Sequence, residues 1–213
     1  MFDALFTTTT EYKKLSHALS GKGACALFGL PASGRAQVYA ALCRQLDKPL
    51  CIVTPGEAEA TRFAADLNTL GIPAAVFPAR DYVLRPIEGT AREYEYRRLA
   101  VLGELVGGRL RAVAVPAEAL TQFTTPKEDF CANTRTLHAG DTLLRDDLLA
   151  ALFGAGYTRR AQVDGPGQFS VRGDIVDIFA PDQKMPVRME FWGDEIDTLH
   201  TFDLTTQRRE DAF

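Results

Sequence analysis

An α/β fold is predicted, with a parallel-sheet domain covered by helices followed by a small, mostly antiparallel α+β unit. Three observations predict it. Between residues 24 and 117 short apolar runs alternate with longer segments whose apolar residues recur every three or four positions, the grammar of βαβα folds. The short runs are apolar at consecutive positions, as strands buried on both faces are. After Pro116 the pattern changes to short strands separated by turns rich in glycine and proline.

The expected strands of the first domain are 24–28, 50–53, 74–77 and 112–115, and the helices between them are 35–46, 57–70 and 91–106. His17 is expected on the polar face of an earlier helix. In the second region a helix is expected over 144–152, ended by the glycines of Phe153-Gly154-Ala155-Gly156. Strand-forming stretches follow at 169–179, 187–192 and 196–202, divided by Pro181-Asp182-Gln183-Lys184 and Gly193-Asp194. Neither an internal repeat nor a low-complexity tract is present.

With 213 residues, 46% of them hydrophobic, the chain has ample material for a buried core. Its net charge is −4, so it lacks the positive field that a protein relying on its own DNA affinity needs. DNA and RNA are therefore expected to be reached through other partners or other parts of a longer protein. Cys25, Cys43, Cys51 and Cys131 form no CxxC pair, and three of them sit in apolar segments where a thiol acts as a small core residue. Neither a metal site nor a disulfide framework is expected. The first twenty residues lack the apolar run of a signal peptide, and no later stretch has the length of a membrane span. A reducing cytoplasm fits these features.

The first expected strand runs into Gly29-Leu30-Pro31-Ala32-Ser33-Gly34-Arg35-Ala36, the strand-loop-helix setting and glycine spacing (Gly29, Gly34) of a phosphate-binding loop. Its chemistry is degenerate. Arg35 replaces the lysine that reaches the outer phosphates, Ala36 lacks the hydroxyl that ligates magnesium, and Pro31 removes a backbone donor. No strand ends in the acidic pair that would hold the magnesium water. The loop then serves as a tight strand-to-helix turn and no cofactor is expected; nucleotide binding by the helix N-terminus and Arg35 is the alternative. His17, His138 and His200 are scattered with no nucleophile beside them, so no catalytic residue is assigned. Asp194, Glu195 and Asp197 read as a solvated turn.

In Val187-Arg188-Met189-Glu190-Phe191-Trp192 the residues alternate, sending Val187, Met189 and Phe191 to the core and Arg188, Glu190 and Trp192 outward. Arginine and tryptophan are common anchors of protein interfaces. Phe169, Arg172 and Asp174 add to this region, as do Arg159 and Arg160. From pattern alone two readings stand: a docking surface, or cross-strand ion pairs on a wet face contributing roughly 0.2–1 kcal/mol each.

Tyr157-Thr158-Arg159, followed by Gly167-Gln168-Phe169-Ser170-Val171-Arg172-Gly173-Asp174-Ile175-Val176-Asp177-Ile178-Phe179-Ala180-Pro181, closely resembles the Y-x-R … G-x-F-x-V-R-G-D-x-I-D-I-F-P stretch of the excinuclease subunit UvrB. Arg188-Met189-Glu190-Phe191-Trp192 and Asp194-Glu195-Ile196-Asp197 continue the likeness. The same module occurs at the N-terminus of transcription-repair coupling factors. The degenerate loop resembles the coupling-factor version, as does the short connection from 78–82 to the helix holding Tyr94 and Tyr96, where UvrB carries a long damage-probing hairpin.

That resemblance implies a degenerate P-loop α/β domain over 1–116, a UvrA-binding α+β domain inserted at 117–191, and a return to the first domain over 192–213. It implies docking to UvrA through Arg159, Arg172, Arg188 and Glu190, with no ATPase activity. Ser170 stands where UvrB has a further arginine, so Phe169 and Trp192 are expected to take over part of the contact. Ending at Phe213 without translocase motifs, the chain is expected to be part of a longer ATP-dependent translocase that contacts RNA polymerase and DNA. A DNA-contacting module is a third reading, opposed by the acidic balance.

Overall fold

The computed structural model describes residues 7–21, 24–46, 48–80 and 93–212. They fall into two compact units, Met1–Thr90 with Val101–Phe123, and Ala91–Ala100 with Thr124–Phe213. The expected boundary at 116/117 thus meets a division at 123/124. The expected short connection across 81–92 lies outside the described residues.

The first unit holds α1 (Thr10–Ser20), α2 (Ala32–Gln45), β1 (Leu50–Thr54), α3 (Glu57–Thr69), β2 (Ala74–Val76), the end of α4 (Glu93–Val106), β3 (Ala112–Pro116) and the single turn α5 (Ala117–Leu120). Its strands form a parallel sheet in the order β1-β3-β2. Central β3 explains the two layers by its Ala-Val-Ala-Val sequence. Ala112 and Ala114 are small enough to let Ala60, Phe63, Ala64 and Leu67 of α3 pack closely on one face. Val113 and Val115 meet Phe77, Val101 and Leu110 on the other.

Local chemistry sets the ends of these elements. Thr9 caps α1 by accepting from the Tyr12 amide at 3.3 Å. Gly71, at φ +74°, closes α3, with the Ile72 amide donating to Leu67 O at 2.9 Å. The Asn68 amide group then donates to Ala74 O at 2.8 Å and accepts from the Ala74 amide at 3.1 Å, tying the helix end to β2. Arg111 donates to Cys43 O and Leu46 O, both at 2.6 Å, and so satisfies carbonyls at the end of α2.

One expected strand is absent. Residues 24–28 form no sheet contact among the described residues, and Leu27 and Phe28 are 46% and 88% exposed. Apolar composition favours a strand, but a strand persists only where a neighbouring edge takes its hydrogen bonds, and here β1 is the edge. Cys51 and Val53, in register with Val113 and Val115, are exposed at that edge. The cysteine expectation is corrected with it: Cys43 alone is buried, while Cys25, Cys51 and Cys131 are exposed.

The second unit contains α6 (Lys127–Ala132), α7 (Arg145–Gly154) and a six-stranded sheet of β4 (Thr158–Arg159), β5 (Gln168–Arg172), β6 (Ile175–Phe179), β7 (Val187–Trp192), β8 (Glu195–Phe202) and β9 (Arg209–Ala212) in sequential order. Only the β4/β5 pair is parallel. The stretch 169–179 proves to be a hairpin, because Gly173 at φ +60° turns the chain in two residues. Gly193 at φ +62° does the same between β7 and β8. A glycine leading a two-residue loop suits a type II′ turn, whose twist matches that of paired strands. Of the stretch 192–213, expected to return to the first domain, Trp192 ends β7 and residues 195–202 and 209–212 form β8 and β9 of the second unit; the two-residue loop leaves β8 antiparallel pairing with β7 as the available course. Leu148 and Leu152 of α7 pack on one face of the sheet, against Phe169, Val176, Met189 and Ile196. Among the described residues no helix is long and apolar enough to cross a membrane.

Candidate docking face

The face of the six-stranded sheet opposite α7 is polar. Pairing brings Ser170, Asp177, Arg188 and His200 into one row across β5, β6, β7 and β8. Arg172, Ile175, Glu190 and Thr198 make the next row. Trp192 follows on the same side at the end of β7, 83% exposed.

Asp177 is the centre of the first row, with its side chain 1% exposed. Arg188 Nε donates to its Oδ1 at 2.6 Å, and Arg188 Nη2 donates to its Oδ2 at 2.9 Å. Arg172 Nη2 donates to the same Oδ2 at 2.8 Å, and Ser170 Oγ at 3.4 Å. Burial pushes the Asp177 carboxyl up, but the hydrogen bonds and charges of Arg188 and Arg172 outweigh it and hold the group below the usual carboxylate range. Arg188 rises correspondingly, chiefly through its bond to Asp177.

Arg188 is further fixed from below and from the side. Its guanidinium lies 4.5 Å from the centroid of the fully buried Phe202 ring, and its Nη2 donates to Gln207 Oε1 at 3.3 Å. Gln207 has a left-handed backbone at φ +59°. Asp203 supports that turn by accepting from the Thr205 and Thr206 amides at 3.1 and 2.7 Å. Next in the row, His200 is 4% exposed and its Nδ1 has no hydrogen-bond partner among the described residues. Burial, then Arg209, lower its pKa, with Glu190 opposing and Arg188 adding to the fall.

The predicted site residues divide accordingly. Arg172 (side chain half exposed), Glu190 and Trp192 share the polar face, and Arg188 joins them as a largely buried member, its side chain 16% exposed. Arg159 is exposed on the edge strand β4. Phe169 is corrected: it is 0% exposed and stacks edge-on against Phe153 at 5.1 Å, because strand alternation turns it towards α7 while Ser170 and Arg172 face the other way. Tyr157, which precedes β4, is pushed up to about 12 by burial, then by Asp182 and Tyr96.

Sequence reasoning missed Asp177, His200 and Gln207. A signal existed for Asp177, since a carboxylate inside Ile-Val-Asp-Ile-Phe has to be paired if its strand is buried.

The glycine loop is elsewhere. Gly29 takes φ +78° and the Gly34 amide donates to Pro31 O at 2.9 Å. Arg35 Nη1 lies 3.9 Å from Glu59 Oε1, and Ala36 is 4% exposed. Among the described residues no group of three or more His, Cys, Asp or Glu is arranged to hold a metal ion.

Residues 136–213 match the family model described as the UvrB interaction domain. The chain is also similar to transcription-repair-coupling factors. That of Mycobacterium bovis is 38% identical over 186 residues, 84% of this chain and 15% of the relative. That of Myxococcus xanthus is 34% identical over 195 residues, covering 86% and 16% respectively. That of Bacillus subtilis is 29% identical over 184 residues, covering 85% and 16%. The chain therefore spans about a sixth of the length of these relatives.

Proposed function

We propose that this chain, whose residues 136–213 match the UvrB interaction domain and whose relatives couple transcription to repair, is a protein-docking module of nucleotide excision repair that binds UvrA. The observation that carries the reading is the polar face of the second sheet, where exposed Trp192 and half-exposed Arg172 flank Glu190 and a fixed Arg188. Aromatic and arginine anchors on a rigid sheet are suited to protein recognition. Arg159 on β4 extends the charged surface. In this reading contacts to RNA polymerase and DNA belong to the remainder of a longer cytoplasmic protein, and docking delivers UvrA to a stalled polymerase.

The glycine loop is not a working nucleotide site in this reading. Arg35 lies beside the Glu59 carboxylate, and Ala36, where magnesium chemistry needs a hydroxyl, is packed in the core. Millimolar or weaker binding of magnesium-ATP by the chain supports this view; tighter binding sinks it.

Calorimetric titration of the chain into purified UvrA, with Arg172→Ala and Trp192→Ala in parallel, tests the docking. Arg188→Glu is a poor probe, since it places a second carboxylate against buried Asp177 and damages the sheet itself. Binding that both variants weaken while remaining folded supports the reading. A chain that does not bind UvrA, or variants that bind unchanged, would refute it.

A further inference from the structure

We infer that Asp177 is the positioning residue of the docking face: its buried carboxylate holds the guanidinium groups of Arg172 and Arg188 in the arrangement a partner meets. The inference rests on the docking reading of this face. Asp177 itself is 1% exposed, so it acts only through the arginines.

Three features of the geometry carry it. First, β6 lies between β5 and β7, so one carboxylate reaches an arginine on either side. With Arg188 it makes a two-point contact through Nε and Nη2, which fixes the plane of the guanidinium as well as its place. Arg172 is held by Nη2 alone, and its half-exposed side chain keeps further donors available. Second, Phe202 beneath Arg188 and Gln207 beside it complete a seat in which Arg188 has little freedom. Third, Arg172 is the member nearer solvent, so it is the guanidinium a partner meets first, with the Glu190 carboxylate in the same row balancing the charge of the face. The partner group this arrangement fits is a carboxylate.

Long charged side chains lose rotamer freedom when a complex forms, and a side chain already ordered in the free protein loses less. Without the Asp177 charge the two arginines would repel one another and disperse. Asp177 thus does for recognition what an outer-shell carboxylate does for a metal-bound histidine, setting orientation without contact.

The test compares the unsubstituted chain, Asp177→Asn, Arg172→Ala and the double variant, with UvrA affinity by calorimetry and the Arg188 Nε–H signal by NMR. Asp177→Asn is expected to weaken UvrA binding about tenfold, the scale of freeing two interface side chains. It should also shift or lose the Arg188 Nε–H signal in the absence of UvrA. In the Arg172→Ala background the loss should shrink clearly, because part of the route is already gone. A merely structural role predicts the same fold-loss in both backgrounds, and that result overturns the inference, as does an unmoved arginine signal, which would mean that Asp177 does not hold Arg188. So does full affinity in a folded Asp177→Asn. If the unsubstituted chain does not bind UvrA, it is the docking reading that fails and this inference falls with it. Should Asp177→Asn not fold, Asp177→Glu, which keeps the charge and displaces it by one methylene, carries the same comparison.

Discussion

Replacing Phe169 with alanine separates a core role from a contact role at a residue where sequence and structure disagree. Phe169 is fully buried, among Leu148, Leu152, Val176 and Met189, and meets Phe153 edge-on at 5.1 Å. Burying alanine there removes the ring and leaves a cavity that rigid strands cannot close, a change costing about 3–5 kcal/mol. Phe153 is 55% exposed and part of the aromatic contact is solvated, so the pair adds little and about 3–5 kcal/mol is expected in all. For a unit of this size a urea dependence of about 2 kcal/mol per molar converts this to a midpoint lowered by about 1.5–2.5 M. Urea unfolding followed by far-UV circular dichroism reads it. A midpoint shift below about 0.5 M together with lost UvrA binding would refute the core assignment and return Phe169 to the surface.

Three further outcomes are expected. Trp192→Ala should leave the unfolding free energy within about 0.5 kcal/mol of the parent, since the ring is mostly in solvent, yet cost about 2 kcal/mol of UvrA affinity as an anchor; equal affinity by calorimetry contradicts the anchor role. His200 has a folded pKa lowered by burial and then by Arg209, so the unfolded chain takes its proton first. Stability should be full above the unfolded value of about 6.5 and fall as pH drops below it, and His200→Leu should flatten that fall in urea midpoints between about pH 7.5 and 5.5. Asp177 is likewise depressed, so its contribution is present above an unfolded value of about 3.9 and disappears as acid carries the pH down through the folded one. Asp177→Asn should therefore show a shallower acid loss than the parent below about pH 4, and an identical slope would argue against the paired carboxylate.

What could be read from the sequence were features set by local chemistry. Ala112-Val113-Ala114-Val115 declared a buried strand because four apolar residues in a row can satisfy both faces of a covered sheet. The alternation through 187–192 sorted Met189 and Phe191 from Arg188, Glu190 and Trp192 for the same geometric reason, since successive side chains point to opposite faces. The remainder was decided by tertiary structure. Whether 24–28 became a strand depended on a neighbouring edge, which no property of those five residues supplies. Whether Phe169 met solvent depended on where α7 lay. The joining of Asp177 to arginines five and eleven residues away depended on strand register, and register is set by turns and core packing over the whole sheet. Periodicity tells which side of its own element a residue occupies; only the assembled sheet tells what stands opposite it.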